Sequence, residues 1–304
     1  MIAAAQAAMV LQGHADAVHA VVFSPDCKTL ASLGGDNTMR LWNAGSGRAL
    51  QVFPGQAEGA RGLACSPDGR LLATADETGS VRCIDLRSGA LYRKLSGANS
   101  LVNCVAFSPD GWQLAAGSNG GSVCIWDVQR ATLLRTLRAA ADAGPLLSIA
   151  WQSAGIQIAA GSAAGSVHLW HAASGALAHT LNAHCGMAWG VAFTADGLQL
   201  ISAGQDGAVC VWESESGLRV RPLGGLGSSA TSVASSANGR WVAAGSAVGE
   251  VAVWDLAAAD AQVLLLAGHT DYVTCVAFSA DGRMLAAGGY DETVRLWMMA
   301  VPGA

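Results

Sequence analysis

The sequence predicts an all-β chain folded into a closed ring of seven four-stranded antiparallel sheets, and three observations carry that reading. An apolar strand end recurs at Trp42, Ile84, Trp126, Trp170, Trp212, Trp254 and Trp297, in steps of 42, 42, 44, 42, 42 and 43 residues. Self-similarity at a fixed period marks a chain built from one supersecondary unit laid down many times. Turn-forming residues fall at the same places in most units. Charged residues make up 13% of the chain against roughly 25% in an average domain, and apolar types reach 52%, so most strands must be hidden on both faces.

Each unit repeats one grammar, seen most fully from Gly268-His269 to Trp297. A leading loop is followed by a strand (Val273 to Phe278), a turn (Ser279-Ala280-Asp281-Gly282), a second strand (Met284 to Ala287), a tight turn at Tyr290-Asp291 and a third strand (Val294 to Trp297). The first turn has a physical cause: Ser66-Pro67-Asp68-Gly69 and Ser108-Pro109-Asp110-Gly111 place Pro where φ is pre-set and Gly where φ turns positive. Cys27 stands in place of that Gly in the first unit, which predicts a strained turn or one of another type. After the third strand, Gly45-Ser46-Gly47, Arg87-Ser88-Gly89 and Glu215-Ser216-Gly217 mark a reversal into a fourth, more polar strand. Ala7 to Leu11 is similar to these fourth strands, whereas the seventh unit stops just after Trp297. The first strand is therefore expected to complete the last sheet, leaving no long inner edge exposed. The boundaries that follow are 1–11 for the closing strand and 12–54, 55–96, 97–138, 139–181, 182–224, 225–266 and 267–301 for the repeats, within one domain over 1–304.

At these residues the chain resembles the WD40 family of seven-bladed β-propellers, whose units carry Gly-His near the start and Trp-Asp at the end. Gly13-His14, Ala183-His184 and Gly268-His269 match the first element, Trp126-Asp127 and Trp254-Asp255 the second, and the register covers the whole chain. The resemblance implies that His14, Ser32, Asp36 and Trp42, and likewise His184, Ser202, Asp206 and Trp212, form buried hydrogen-bonded rows that pin the leading loop to the tight turn. The same residue types suit a nucleophile, base and orienter. Yet Asp stands six residues before the strand end only at Asp36, Asp206 and Asp291, in the three units that have the His. Joint presence is what a structural network requires, because a buried carboxylate without its imidazole is costly. His269, Asp291 and Trp297 make the third row, incomplete because Ala287 replaces the serine.

The resemblance further implies a partner-binding ring on the narrower top face, three and five residues after the leading His and just before the tight-turn Asp. The ring's large side chains here are His19, Arg61, Glu77, Leu101, Leu147, Met187, Trp189, Tyr272 and Tyr290, with Asn103, Gln205, Ser229, Thr231 and Thr274 among the smaller ones. Trp, Tyr and Arg dominate interface energetics. The expectation is a patch that anchors an apolar or aromatic peptide side chain, with Arg61 near any acidic group.

Other functions find less support. A net charge of -5 and a pI near 5.7 offer no general excess of positive charge for a phosphate backbone, so nucleic acid is not an expected partner. The eight cysteines contain no C-x-x-C pair, and His168 and His171 lie three apart on one strand, pointing to opposite faces; no metal or cofactor is expected. No Gly-rich phosphate loop opens a helix, and no small-molecule substrate is expected. Free thiols in buried apolar positions suit a reducing intracellular compartment, cytoplasm or nucleus. Met1 to Gln12 has no basic n-region and no run of about twenty apolar residues occurs, so neither secretion nor membrane insertion is expected. No Lys or Arg occurs from Ala139 to Leu218, and the fourth strand Ala176 to Leu181 could be an edge that another protein covers. Ile84-Asp85-Leu86-Arg87 resembles the box by which some WD40 proteins dock to cullin-based ubiquitin ligases, without its Trp. The leading reading is a non-catalytic scaffold or adaptor for one or several proteins within a larger complex. A ligase substrate receptor and a propeller hydrolase are the alternatives.

Overall fold

The computed structural model describes residues 9–55, 59–75, 78–258 and 263–299. They form seven sheets of four antiparallel strands arranged in a ring, a seven-bladed β-propeller. Blade 1 comprises Val18–Phe23, Thr29–Gly34, Thr38–Asn43 and Ala49–Pro54, and each later blade repeats that meander. Blade 7 takes its first three strands from Val273–Phe278, Met284–Gly289 and Val294–Met298 and its fourth from Met9–Leu11. There Met9 faces Leu296, Val10 faces Arg295 and Leu11 faces Val294. Ala7 and Ala8 of the expected closing strand lie outside the described residues.

The turn after each first strand forms as its residues dictate. Gly69 and Gly111 adopt φ of +69° and +74°, and their N–H groups bond the carbonyls of Ser66 and Ser108 at 2.8 and 2.9 Å. Cys27 makes the same bond to Ser24 at 2.9 Å with φ of +59°. The turn is thus of the same type, and a side-chain-bearing residue sits in the left-handed region that favours glycine. Asp26 helps to hold it there, accepting from the Ser24 hydroxyl at 2.6 Å and from the Lys28 N–H at 3.1 Å.

Burial is greatest between blades. Each hydrophobic cluster draws on two neighbours; Leu11, Val18, Trp42, Met284 and Leu296 pack together across the junction of blades 7 and 1, as Trp126, Leu114, Cys83 and Leu95 do between blades 2 and 3. Second strands are buried along their length, while fourth strands are exposed except for one inward residue such as Phe53 or Leu137. The first strands approach one another around the centre, those of blades 7 and 1 included. The Thr274 hydroxyl donates across that last junction to the Val18 carbonyl, and the Asn103 amide does the same from blade 3 to Leu146 of blade 4 at 2.9 Å. Among the described residues no helix is long and apolar enough to cross a membrane.

Candidate functional site: the top face and its hydrogen-bonded rows

In blade 1 the indole N–H of Trp42 donates to Ser32 Oγ at 2.8 Å. The serine hydroxyl then donates to His14 Nε2 at 2.7 Å, and His14 Nδ1–H donates to Asp36 at 3.0 Å. Indole can only donate and an ionised carboxylate can only accept, so the chain of bonds fixes this tautomer. Asp36 also accepts from the Ala15 N–H at 3.0 Å, which ties the leading loop to the tight turn. Burial pushes the Asp36 carboxyl up, but the donors on it outweigh burial and hold it at about 2. Burial lowers the pKa of His14 despite its carboxylate partner.

Blade 5 repeats the row, with Trp212 on Ser202 at 2.9 Å, Ser202 on His184 at 2.8 Å and His184 on Asp206 at 3.0 Å. Ser32 and Ser202 are wholly buried, each hydroxyl lying between its Trp and its His. A nucleophile needs an open position for a carbonyl and donors for its oxyanion; these hydroxyls are sealed from solvent between the two rings. In blade 7 His269 bonds Asp291 at 2.9 Å, but with Ala287 in the serine position the buried His269 Nε2 finds no partner of good geometry. His168 is buried and His171 exposed, and among the described residues no group of three His, Cys, Asp or Glu could hold a metal.

Blades lacking the His pin their loops differently. Trp126, Trp170 and Trp254 donate from Nε1 to the carbonyls of Ser96, Arg138 and Gly224 at 2.9, 3.2 and 2.7 Å. Ser96 and Gly224 open the segment leading into the same blade, and Arg138 is the last residue of the preceding blade's fourth strand. The sequence gives no sign of them, because a carbonyl acceptor leaves no residue signature.

A local irregularity builds the top-face ring. The ladder between first and second strands shifts register at Val18/Ala20, Val102/Cys104, Leu146/Ser148, Ala188/Gly190, Ala230/Ser232 and Val273/Cys275. The residues skipped are His19, Asn103, Leu147, Trp189, Thr231 and Thr274, all positions of the ring. A bulge leaves its extra residue unpaired and re-aims the side chain.

His19, Arg61, Trp189, Tyr272 and Tyr290 come together in one cavity of about 630 Å³ at the junction of blades 5, 6, 7, 1 and 2. The volume lies within the roughly 300–1,000 Å³ of ligand clefts. Tyr272 and Tyr290 meet edge to face at 5.9 Å and are 49% and 54% exposed. Gln205, Ser229, Thr231 and Thr274 supply polar edges, and Asp271, which the ring positions do not include, adds a carboxylate. Burial and then the Arg61 guanidinium lower the pKa of His19. The cavity does not draw on Leu101, Leu147 or Met187, which are half-buried elsewhere on the face. Glu77 lies outside the described residues.

Two smaller candidates have other engagements. Asp85 accepts from the Ser88 N–H at 3.0 Å and pairs with Arg70 at 3.5 Å, while Arg87 is exposed beside it. On the fourth strand of blade 4, Leu177–Asn182, His179 reaches blade 5 at the Glu215 carbonyl, 2.7 Å away.

Seven closed blades with His-Ser-Trp rows define a WD40-type β-propeller, a class that generally serves as a protein-interaction scaffold rather than as an enzyme. A family model described as WD domain, G-beta repeat, matches residues 261–298. A second, described as Nucleolar protein 10-like, N-terminal domain, matches residues 16–212, well over half of the chain, and the chain belongs to that family. Comparison with curated proteins finds no match.

Proposed function

We propose that the protein is a non-catalytic interaction scaffold that holds a partner peptide in the top-face cavity and works as a subunit of a larger, nucleolar assembly. One observation carries the reading: His19, Arg61, Trp189, Tyr272 and Tyr290, distant in sequence, line a single cavity of about 630 Å³. Three exposed aromatic rings offer area for an apolar or aromatic side chain at low entropic cost. Arg61 gives an acidic group of the partner a counter-charge. Leu101, Leu147 and Met187 extend the ring on the same face as lesser contacts, and the remaining faces leave room for further proteins.

The nucleolar placement rests on the family that residues 16–212 match, Nucleolar protein 10-like. The cytoplasmic alternative draws nothing from that family. Affinity purification with mass spectrometry from cells expressing wild type or a Trp189→Ala, Tyr290→Ala double variant is the direct test. Loss of a defined set of partners supports the top-face reading, and an unchanged set overturns it.

A further inference from the structure

The turn residue that follows the left-handed position after each first strand reaches the bottom face, opposite the leading loops. Its carbonyl accepts from the turn after the third strand: Val128 N–H on Trp112 at 3.0 Å, Ala172 on Ile156 at 2.8 Å and Ser214 on Leu198 at 2.9 Å. The same bond recurs at Lys28, Arg70, Arg240 and Arg283 in the other four blades, so these residues occupy equivalent places around the ring. Four blades put a charged residue at this solvent-facing tip. Blades 3, 4 and 5 instead put Trp112, Ile156 and Leu198 there, 59%, 58% and 66% exposed.

Three large apolar side chains at the same place in successive blades form an arc rather than scattered exposure. Covering such side chains removes apolar surface from water, and apolar surface of this kind marks an interaction site. A groove of about 200 Å³ opens alongside it between blades 3 and 4, floored by Trp151 and walled by Pro109 and Ala172. The charge beside blade 5 is acidic, whereas on the blade 3 side Arg135 lines the groove and Arg130 is paired with Asp127. No Lys or Arg occurs from 139 to 218, and on this face Asp196, Glu213 and Glu215 are exposed next to Leu198.

We propose that the bottom face of blades 3 to 5 is a second docking surface, built for a segment of a partner protein that presents an apolar stripe flanked by lysine or arginine. The apolar stripe covers Trp112, Ile156 and Leu198, and the basic flanks meet the carboxylates of blade 5. This surface is separate from the top-face cavity and does not depend on it.

The test titrates the full chain with a synthetic helical peptide carrying leucine at heptad a and d positions and lysine elsewhere. A matching peptide with glutamate in place of lysine is the control. The variants are Trp112→Ser, Ile156→Ser, Leu198→Ser together, and Glu213→Lys with Glu215→Lys; unchanged melting temperatures show that each still folds. The expected result is binding of the leucine-lysine peptide that weakens about tenfold or more in both variants and with the glutamate peptide, and persists in Trp189→Ala, Tyr290→Ala. Absence of wild-type binding, equal binding by the serine variant, or equal binding of the glutamate peptide overturns the proposal. So does self-association of the wild type that the serine variant abolishes, because the arc would then cover a second copy of this chain.

Discussion

The indole N–H of Trp126 donates to the carbonyl of Ser96 at 2.9 Å, whereas the equivalent Trp42 donates to the hydroxyl of Ser32 at 2.8 Å. The two bonds are alternative solutions to one problem, a long loop that must be fixed to the blade it leads into. In blades 1 and 5, where the loop carries a His, the serine relays between the two rings. In blades 3, 4 and 6, which lack the His, Ala116, Ala160 or Ala244 stands in the serine position and the indole reaches a backbone carbonyl directly.

Ser32→Ala and Ser202→Ala each remove the link between a buried Trp and a buried His. Two polar groups lose their partner at once, and each orphaned group costs about 1–3 kcal/mol. Both variants should lower the urea midpoint with an unchanged slope. Ala116→Ser, in a blade without the His, buries a hydroxyl for which no row exists and should itself lower stability rather than raise it.

Blade 7 allows the reverse experiment. His269 Nε2 is buried without a hydrogen bond of good geometry, the Ala287 backbone being its polar neighbour, and Ala287 fills the place of the relay serine. Ala287→Ser should complete the row and stabilise the chain by about 0.5–1.5 kcal/mol. A fall in melting temperature would show that blade 7 has closed around the alanine too tightly to take an oxygen.

Repeat number, blade composition and ring closure were legible from the sequence because each is written in residue types. Trp at a strand end, Pro-Asp-Gly at a turn and an apolar fourth strand before His14 have physical meanings that survive without coordinates. The joint presence of His14 with Asp36 and of His184 with Asp206 was readable for the same reason. The Ser96 and Gly224 carbonyls were not, since any residue offers one. Nor could the sequence separate Trp189 and Tyr290, which share a cavity, from Leu101 and Leu147 on the other side of the channel. Ring positions are equivalent by period, and only the closed circle shows which ones are neighbours.

Acid should weaken the fold in two stages. Burial lowers the folded-state pKa of His14, His184 and His269 below the ordinary 6.5. The unfolded chain therefore takes up those protons first, so stability is full above 6.5 and falls as pH drops below it. Asp36 adds a second loss that begins near its ordinary 3.8 and runs to about 2. Urea midpoints measured from about pH 8 to about pH 5 should decline monotonically, and a flat profile would mean that the imidazoles are not held neutral by burial.

Thiol reactivity should follow exposure. Cys185, beside the His184 row, is the exposed cysteine, whereas Cys83 and Cys104 are buried and burial pushes their thiols up to about 12. The thiolate is the reacting species. Alkylation of the native protein at neutral pH followed by peptide mapping should mark Cys185 well before Cys83 or Cys104, and all three equally in urea.

The closing junction between blades 7 and 1 has the same construction as the continuous ones, and its energy should match. Leu11 faces Val294 across the outer ladder as Leu137 faces Val123 in blade 3, and the two leucines are 4% and 3% exposed. Leu11 packs against Trp42 and Met284, Leu137 against Trp170 and Leu146. Large-to-small changes at such sites cost about 2–5 kcal/mol. Leu11→Ala and Leu137→Ala should therefore lower stability by similar amounts, each in a single cooperative unfolding transition, because opening any one junction removes the support of both neighbours. If Leu11→Ala costs much less than Leu137→Ala, or unfolds in two steps, the strand Met9–Leu11 rests on a ring that six blades and the three remaining strands of blade 7 already hold shut.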